Sequence, residues 1–107
     1  MGRMKNDGGL RESDMMEIIL ILQKESMVDS AFFFGSRAKG NYKKGSDVDI
    51  VLKGQHLNSE IINSIRYSLN QESLMPYKFD VINYNTINSV ELVEHINRAG
   101  KIFYSRK

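Results

Sequence analysis

Residues 33–50 decide the reading of this chain: Phe33-Phe34-Gly35-Ser36-Arg37-Ala38-Lys39-Gly40-Asn41-Tyr42-Lys43-Lys44-Gly45-Ser46-Asp47-Val48-Asp49-Ile50. An apolar run stops at a Gly-Ser corner. Ten residues follow, four of them basic and none acidic. An apolar strand then opens on two aspartates two positions apart. Gly35 permits unusual dihedrals and close backbone approach. Ser36 offers a hydroxyl and a backbone N–H to an anion, and a helical turn after it aims further N–H groups the same way. Arg37, Lys39, Lys43 and Lys44 add positive charge suited to a polyphosphate.

The two aspartates supply the other half of the chemistry. Alternate strand residues share a face, so Asp47 and Asp49 project together about 7 Å apart. Like charges this close repel unless a cation lies between them. Mg²⁺ or Mn²⁺ takes oxygen donors and leaves coordination positions for phosphate. A third carboxylate would complete the arrangement used for in-line displacement at phosphorus. Asp80 is the candidate, because it interrupts the apolar run Lys78-Phe79-Asp80-Val81-Ile82 and aspartate is disfavoured inside strands. Each signal alone has a plain explanation: a turn, a solvated basic surface, a helix cap. Their combination at this spacing points to phosphoryl or nucleotidyl transfer.

Outward from this stretch, apolar periodicity predicts α β α β α β α with a further short strand. A stripe of Met15, Ile18, Ile19 and Leu22 marks the first helix, with Asp14 and Glu17 resembling a capping box. Ala31–Phe34 reads as a buried strand, and residues 47–52 as the next. A helix is expected over 59–72, with Ile61, Ile62, Ile65 and Leu69 on one face. Lys78 to Asn83 is the third strand. Asn88 and Glu91 suggest the cap of a last helix, with Val90, Val93, Ile96 and Ala99 inward, then a strand at Ile102-Phe103-Tyr104. Alternating strands and helices predict an α/β fold, a mixed β-sheet flanked by helices. Residues 1–13 are expected to form a loose tail, and 14–107 the domain.

The bulk properties narrow the field. A chain of 107 residues is one small domain on size alone. A net charge of +2 and the lack of an extended basic surface argue against a nucleic-acid polymerase. With no cysteine, disulfides and thiolate zinc sites are excluded. The longest apolar run, Ile18 to Leu22, is far short of a membrane span. A cytoplasmic location is the expectation. His56 and His95 each lack a second histidine at ligand spacing and read as surface or supporting residues.

The stretch from Gly35-Ser36 to Asp47-Val48-Asp49 resembles the Gly-Ser-x10-Asp-x-Asp signature of the polymerase-β-like nucleotidyltransferase superfamily, most of all its minimal nucleotidyltransferase branch. The resemblance implies a nucleotidyltransferase core that binds ATP or another nucleoside triphosphate with Mg²⁺ or Mn²⁺ and passes a nucleoside monophosphate, AMP from ATP, to a hydroxyl acceptor. It implies that Gly35, Ser36, Arg37 and Ser46 bind nucleotide, and that Asp47, Asp49 and Asp80 bind metal and act in catalysis. It also implies a helical HEPN-type partner, with this chain as the antitoxin of a toxin–antitoxin pair. A homo-oligomer is another assembly that the apolar helix faces allow. The rival reading is a non-catalytic nucleotide-binding antitoxin that acts by contact alone.

Overall fold

The computed structural model describes residues 8–43 and 45–106. Helix α1 (Glu12–Gln23) leads into strand β1 (Ser30–Phe34), a one-turn helix α2 (Ser36–Lys39) and strand β2 (Val48–Lys53). Helix α3 (Ser59–Tyr67) continues as a π-helical segment, Ser68–Glu72, before strand β3 (Phe79–Asn83). A 3₁₀ turn (Tyr84–Thr86), helix α4 (Val90–Ala99) and strand β4 (Lys101–Ser105) complete the chain.

The strands form one sheet in the order β3-β2-β1-β4. β1 runs antiparallel to β2 and β4, while β2 and β3 are parallel. The sheet is therefore mixed, as expected. A short connection from Phe34 to Val48 suits an antiparallel pair, and the crossover through α3 suits the parallel one.

Strand alternation sorts side chains into two unequal layers. Phe33, Val48, Ile50, Leu52, Phe79 and Val81 pack beneath Ile18 and Leu22 of α1 and Ile62, Ile65 and Leu69 of the α3 arm. The opposite face holds a smaller cluster of Phe34, Val51 and Ile96, with Phe32, Ile82, Tyr84, Ile87 and Leu92 against it. The acidic motif residues fall on this second face.

Four local expectations change. Asp14 does not cap α1; it is buried at 3% exposure, accepting from Arg11 Nε at 3.2 Å and from the Tyr77 hydroxyl at 3.0 Å. α4 is capped by Ser89, whose Oγ accepts the Leu92 N–H at 3.1 Å, not by Asn88. Val90 is exposed rather than inward, because α4 meets the sheet through Leu92 and Ile96, an i, i+4 pair. The tail expected over 1–13 lies outside the described residues as far as Asp7. From Gly8 onward it packs, and Leu10 joins the main core.

The outer edge of β3 is closed by side chains. β3 gives alternate backbone groups to β2, leaving those of Phe79 and Val81 facing outward. Asn70, in the π-helical segment, takes both groups of Phe79: its Nδ2 donates to the carbonyl at 2.9 Å and its Oδ1 accepts the N–H at 2.8 Å. Arg66 donates to the Val81 carbonyl at 2.6 Å. These contacts flank Asp80 on either side. Asn70→Ala removes two partly buried hydrogen bonds at about 1 kcal/mol each. A fall in melting temperature of roughly 5–15 °C is expected by thermal denaturation; an unchanged melting temperature would show that water replaces Asn70 at no cost.

Candidate active site

The site is built at the mouth of β2. Phe34, the last residue of β1, is the register partner of Asp49. On the other side of β2, Asp49 is the register partner of Asp80. Adjacent strands lie about 4.8 Å apart, so Asp49 and Asp80 stand side by side on the α4 face. Asp47 lies one residue before β2 and is exposed, as is Asp80, while Asp49 is half-buried. Burial raises the Asp49 carboxyl above its ordinary value of 3.8, and the charges of Asp80 and then Asp47 raise it further.

Gly35 closes the site from the β1 side. Its φ of 71° and ψ of −148° belong to a region that only glycine occupies without strain. A Cβ placed there would lie 2.5 Å from Asp49 Oδ2. The backbone thus passes directly against the carboxylate before turning into Ser36, the first residue of α2. First-turn N–H groups have no partner within their own helix. Ser36 therefore stands at the corner one residue after the backbone that meets Asp49.

Two of the residues expected at the nucleotide make contacts within the motif loop. Arg37 is only 5% exposed. Its guanidinium donates to the Gly8 carbonyl at 3.0 Å and the Ser46 carbonyl at 2.9 Å, and the Tyr42 and Tyr77 rings lie 4.8 and 5.3 Å from it. A guanidinium held by backbone carbonyls between two rings is a fastener for the loop. Ser46 acts likewise. Its hydroxyl donates to the Lys43 carbonyl at 2.6 Å and accepts the Lys43 N–H at 2.8 Å. The ten-residue spacer is thereby closed on itself and tied to the segment before α1. Lys39 and Lys43 remain exposed; Lys44 lies outside the described residues.

His95 is a supporting residue, one of the two readings that the sequence allowed, but its partner could not be read from the sequence. The Gly35 N–H donates to His95 Nε2 at 2.9 Å across 60 residues of chain. The imidazole also stands edge-on to Phe34, with ring centroids 6.5 Å apart. The only local signal was a histidine one turn after Leu92 on the helix.

Among the described residues, no three His, Cys, Asp or Glu side chains are gathered closely enough to hold an ion as they stand. The donor set nevertheless fits a hard divalent cation. It is all oxygen, two of its three carboxylates are exposed, and its central carboxylate resists ionisation because of burial and then the charges of Asp80 and Asp47. Phosphate oxygens would supply the missing ligands.

The comparisons with known proteins bear on the family and the fold. Residues 16–107 match the family described as "Polymerase beta, Nucleotidyltransferase". A search of curated protein sequences finds no match. Among solved structures, a chain of a toxin–antitoxin complex crystallised with AMP-PNP superposes with a TM-score of 0.69 at 18% identity, covering 92% of this chain and 76% of that one. A complex of tri-AMPylated Shewanella oneidensis HEPN toxin with its MNT antitoxin gives 0.67 at 17% identity, with coverages of 90% and 73%. A Sulfolobus solfataricus protein assigned as a nucleotidyltransferase gives 0.58 at 19% identity, with coverages of 99% and 93%. At these identities the superpositions establish a shared fold. No helix among the described residues is long and apolar enough to cross a membrane.

Proposed function

Because the chain belongs to the polymerase beta nucleotidyltransferase family, we propose that it transfers AMP from ATP to a hydroxyl of a helical HEPN-type protein and thereby acts as an antitoxin. The observation that carries this reading is the side-by-side placement of Asp49 and Asp80 against the Gly35-Ser36 corner. Carboxylates for a cation and a corner for phosphate meet at one end of the sheet.

In this reading Ser36 and the backbone after Gly35 hold the outer phosphates. Asp47, Asp49 and Asp80 would hold Mg²⁺ or Mn²⁺, and a bound ion would neutralise charge on the phosphates and polarise the α-phosphorus. The acceptor oxygen forms a bond to that phosphorus, the bond to the β-phosphate bridging oxygen breaks, and pyrophosphate leaves. Asp80, exposed at the rim, takes the hydroxyl proton. Arg37 and Ser46 act by fixing the loop that carries Asp47. The nearby solved complexes with toxin and nucleotide support the choice of acceptor and donor. The exposed rim of the site, with Asp47 and Asp80 facing solvent, leaves room for a protein acceptor to cover it and exclude water.

The test is co-expression with the product of the adjacent gene, followed by intact-mass measurement of that partner. Added mass of one or more AMP groups, lost in Asp47→Asn, is the expected result. A tight complex with no added mass, equally tight in Asp47→Asn, would replace transfer with neutralisation by contact. A monomeric chain that adenylylates small molecules unaided would remove the partner from the proposal.

A further inference from the structure

Among the described residues, His95 Nε2 is the one ring nitrogen bonded to the Gly-Ser corner, and it accepts there. The Gly35 N–H points at Nε2 at 2.9 Å, so that nitrogen carries no proton and the ring is neutral. The hydrogen bond fixes the backbone N–H at the residue whose dihedrals only glycine tolerates. The same residue leaves no room for a Cβ beside Asp49. One contact from α4 thus sets the position of the peptide that precedes Ser36 and borders the carboxylates.

The surroundings of the ring oppose its protonation. Partial burial lowers its affinity for a proton, and the positive charges of Lys39 on α2 and Arg98 on α4 lower it further. From β1 it meets the Phe34 ring, which offers no charge. Glu91 lies one turn earlier on α4 and is exposed. The Asp49 carboxylate of β2 lies against Gly35. A protonated His95 has two donors and no acceptor. It would confront the Gly35 N–H donor to donor, and the corner would have to move.

We propose that His95 is a positioning residue: by accepting the Gly35 N–H it holds the Gly-Ser corner in its phosphate-receiving conformation, and its protonation releases that corner. The phosphate half of this statement rests on the transferase reading above. The contact half stands on the geometry alone. Nucleotide binding is then gated by pH through a residue that touches neither phosphate nor metal.

The experiment has two readouts on the full chain. In nucleotide-free protein, the Gly35 amide resonance is followed by NMR from pH 8 to 5.5 together with the His95 ring protons. In parallel, ATP affinity in the presence of Mg²⁺ is measured at both ends of that range for wild type, His95→Gln and His95→Ala. Glutamine keeps an acceptor oxygen and does not titrate. The Gly35 amide should move with the His95 ring in wild type and stay still in His95→Gln. Acid should weaken ATP binding by about tenfold more in wild type than in His95→Gln, the effect of one lost hydrogen bond. His95→Ala should bind about tenfold more weakly at pH 8. Titration of the ATP phosphates is common to all three proteins and cancels in the comparison. The inference is overturned by a Gly35 amide that ignores His95, by equal acid loss in His95→Gln, by wild-type binding that tightens in acid relative to His95→Gln, or by His95→Ala binding like wild type. Wild type that fails to bind ATP at any pH would sink the transferase reading instead, with the amide titration still deciding the His95 contact.

Discussion

Asp49→Asn is expected to abolish nucleotide transfer while making the metal-free protein more stable. Asp49 is the central carboxylate, with Asp80 as its register partner and Asp47 two residues before it. Its folded-state pKa is raised above 3.8, first by burial and then by the charges of Asp80 and Asp47. The native state therefore binds a proton more readily than the unfolded chain. Stability falls as pH rises from 3.8 through the higher folded value, and at neutral pH the ionised group carries its full cost. Asparagine removes that cost. A gain of about 1 kcal/mol would raise the melting temperature by roughly 4–8 °C in a domain of this size. The gain should appear in chelator-containing buffer at pH 7.5 and shrink towards pH 4. Loss of the cation's charge stabilisation, several kcal/mol, should slow transfer by about a thousandfold or more. Mg²⁺ with ATP should stabilise wild type but not the variant. A metal-free Asp49→Asn protein that melts below wild type would mean that the carboxylate is a structural group with a cationic partner.

Gly35→Ala should damage both fold and activity, for two separable reasons. The backbone dihedrals at Gly35 cost a side chain about 1–3 kcal/mol. The added methyl would also fall 2.5 Å from Asp49 Oδ2. The carboxylate end can swing aside, so the clash need not unfold the protein. It does displace the central carboxylate and the peptide that His95 holds. A melting temperature lower by roughly 5–15 °C is expected, with transfer lost even at temperatures where the variant is fully folded. Ser36→Ala, one residue on, is the control. It keeps the turn and the melting temperature and loses only triphosphate affinity. A Gly35→Ala protein with normal turnover per folded molecule would show that the close approach to Asp49 has no catalytic consequence.

Patterns along the chain were enough for the parts of this protein that depend on sequence neighbours. Short continuous apolar runs placed all four strands, and period-three-to-four stripes placed the long helices. The alternation of β2 and the apolar flanks of Asp80 singled out the three carboxylates. The Gly-Ser corner and its ten-residue spacer marked the site proposed for phosphate. What the tertiary structure decided was pairing. Alternation says which face Asp49 and Asp80 take, but only the parallel register of β2 and β3 makes them neighbours. A basic residue in a polar loop looks like a phosphate ligand. Arg37 turns inward because carbonyls of Gly8 and Ser46 and the rings of Tyr42 and Tyr77 converge on it, and none of these is its sequence neighbour. Asn70 looks like any polar helix residue until a π-helical segment turns it onto the backbone of Phe79. His95 carried no motif at all. Its role comes from a backbone N–H 60 residues away that strand geometry leaves in need of an acceptor, and a buried donor takes whichever acceptor the packed chain brings to it.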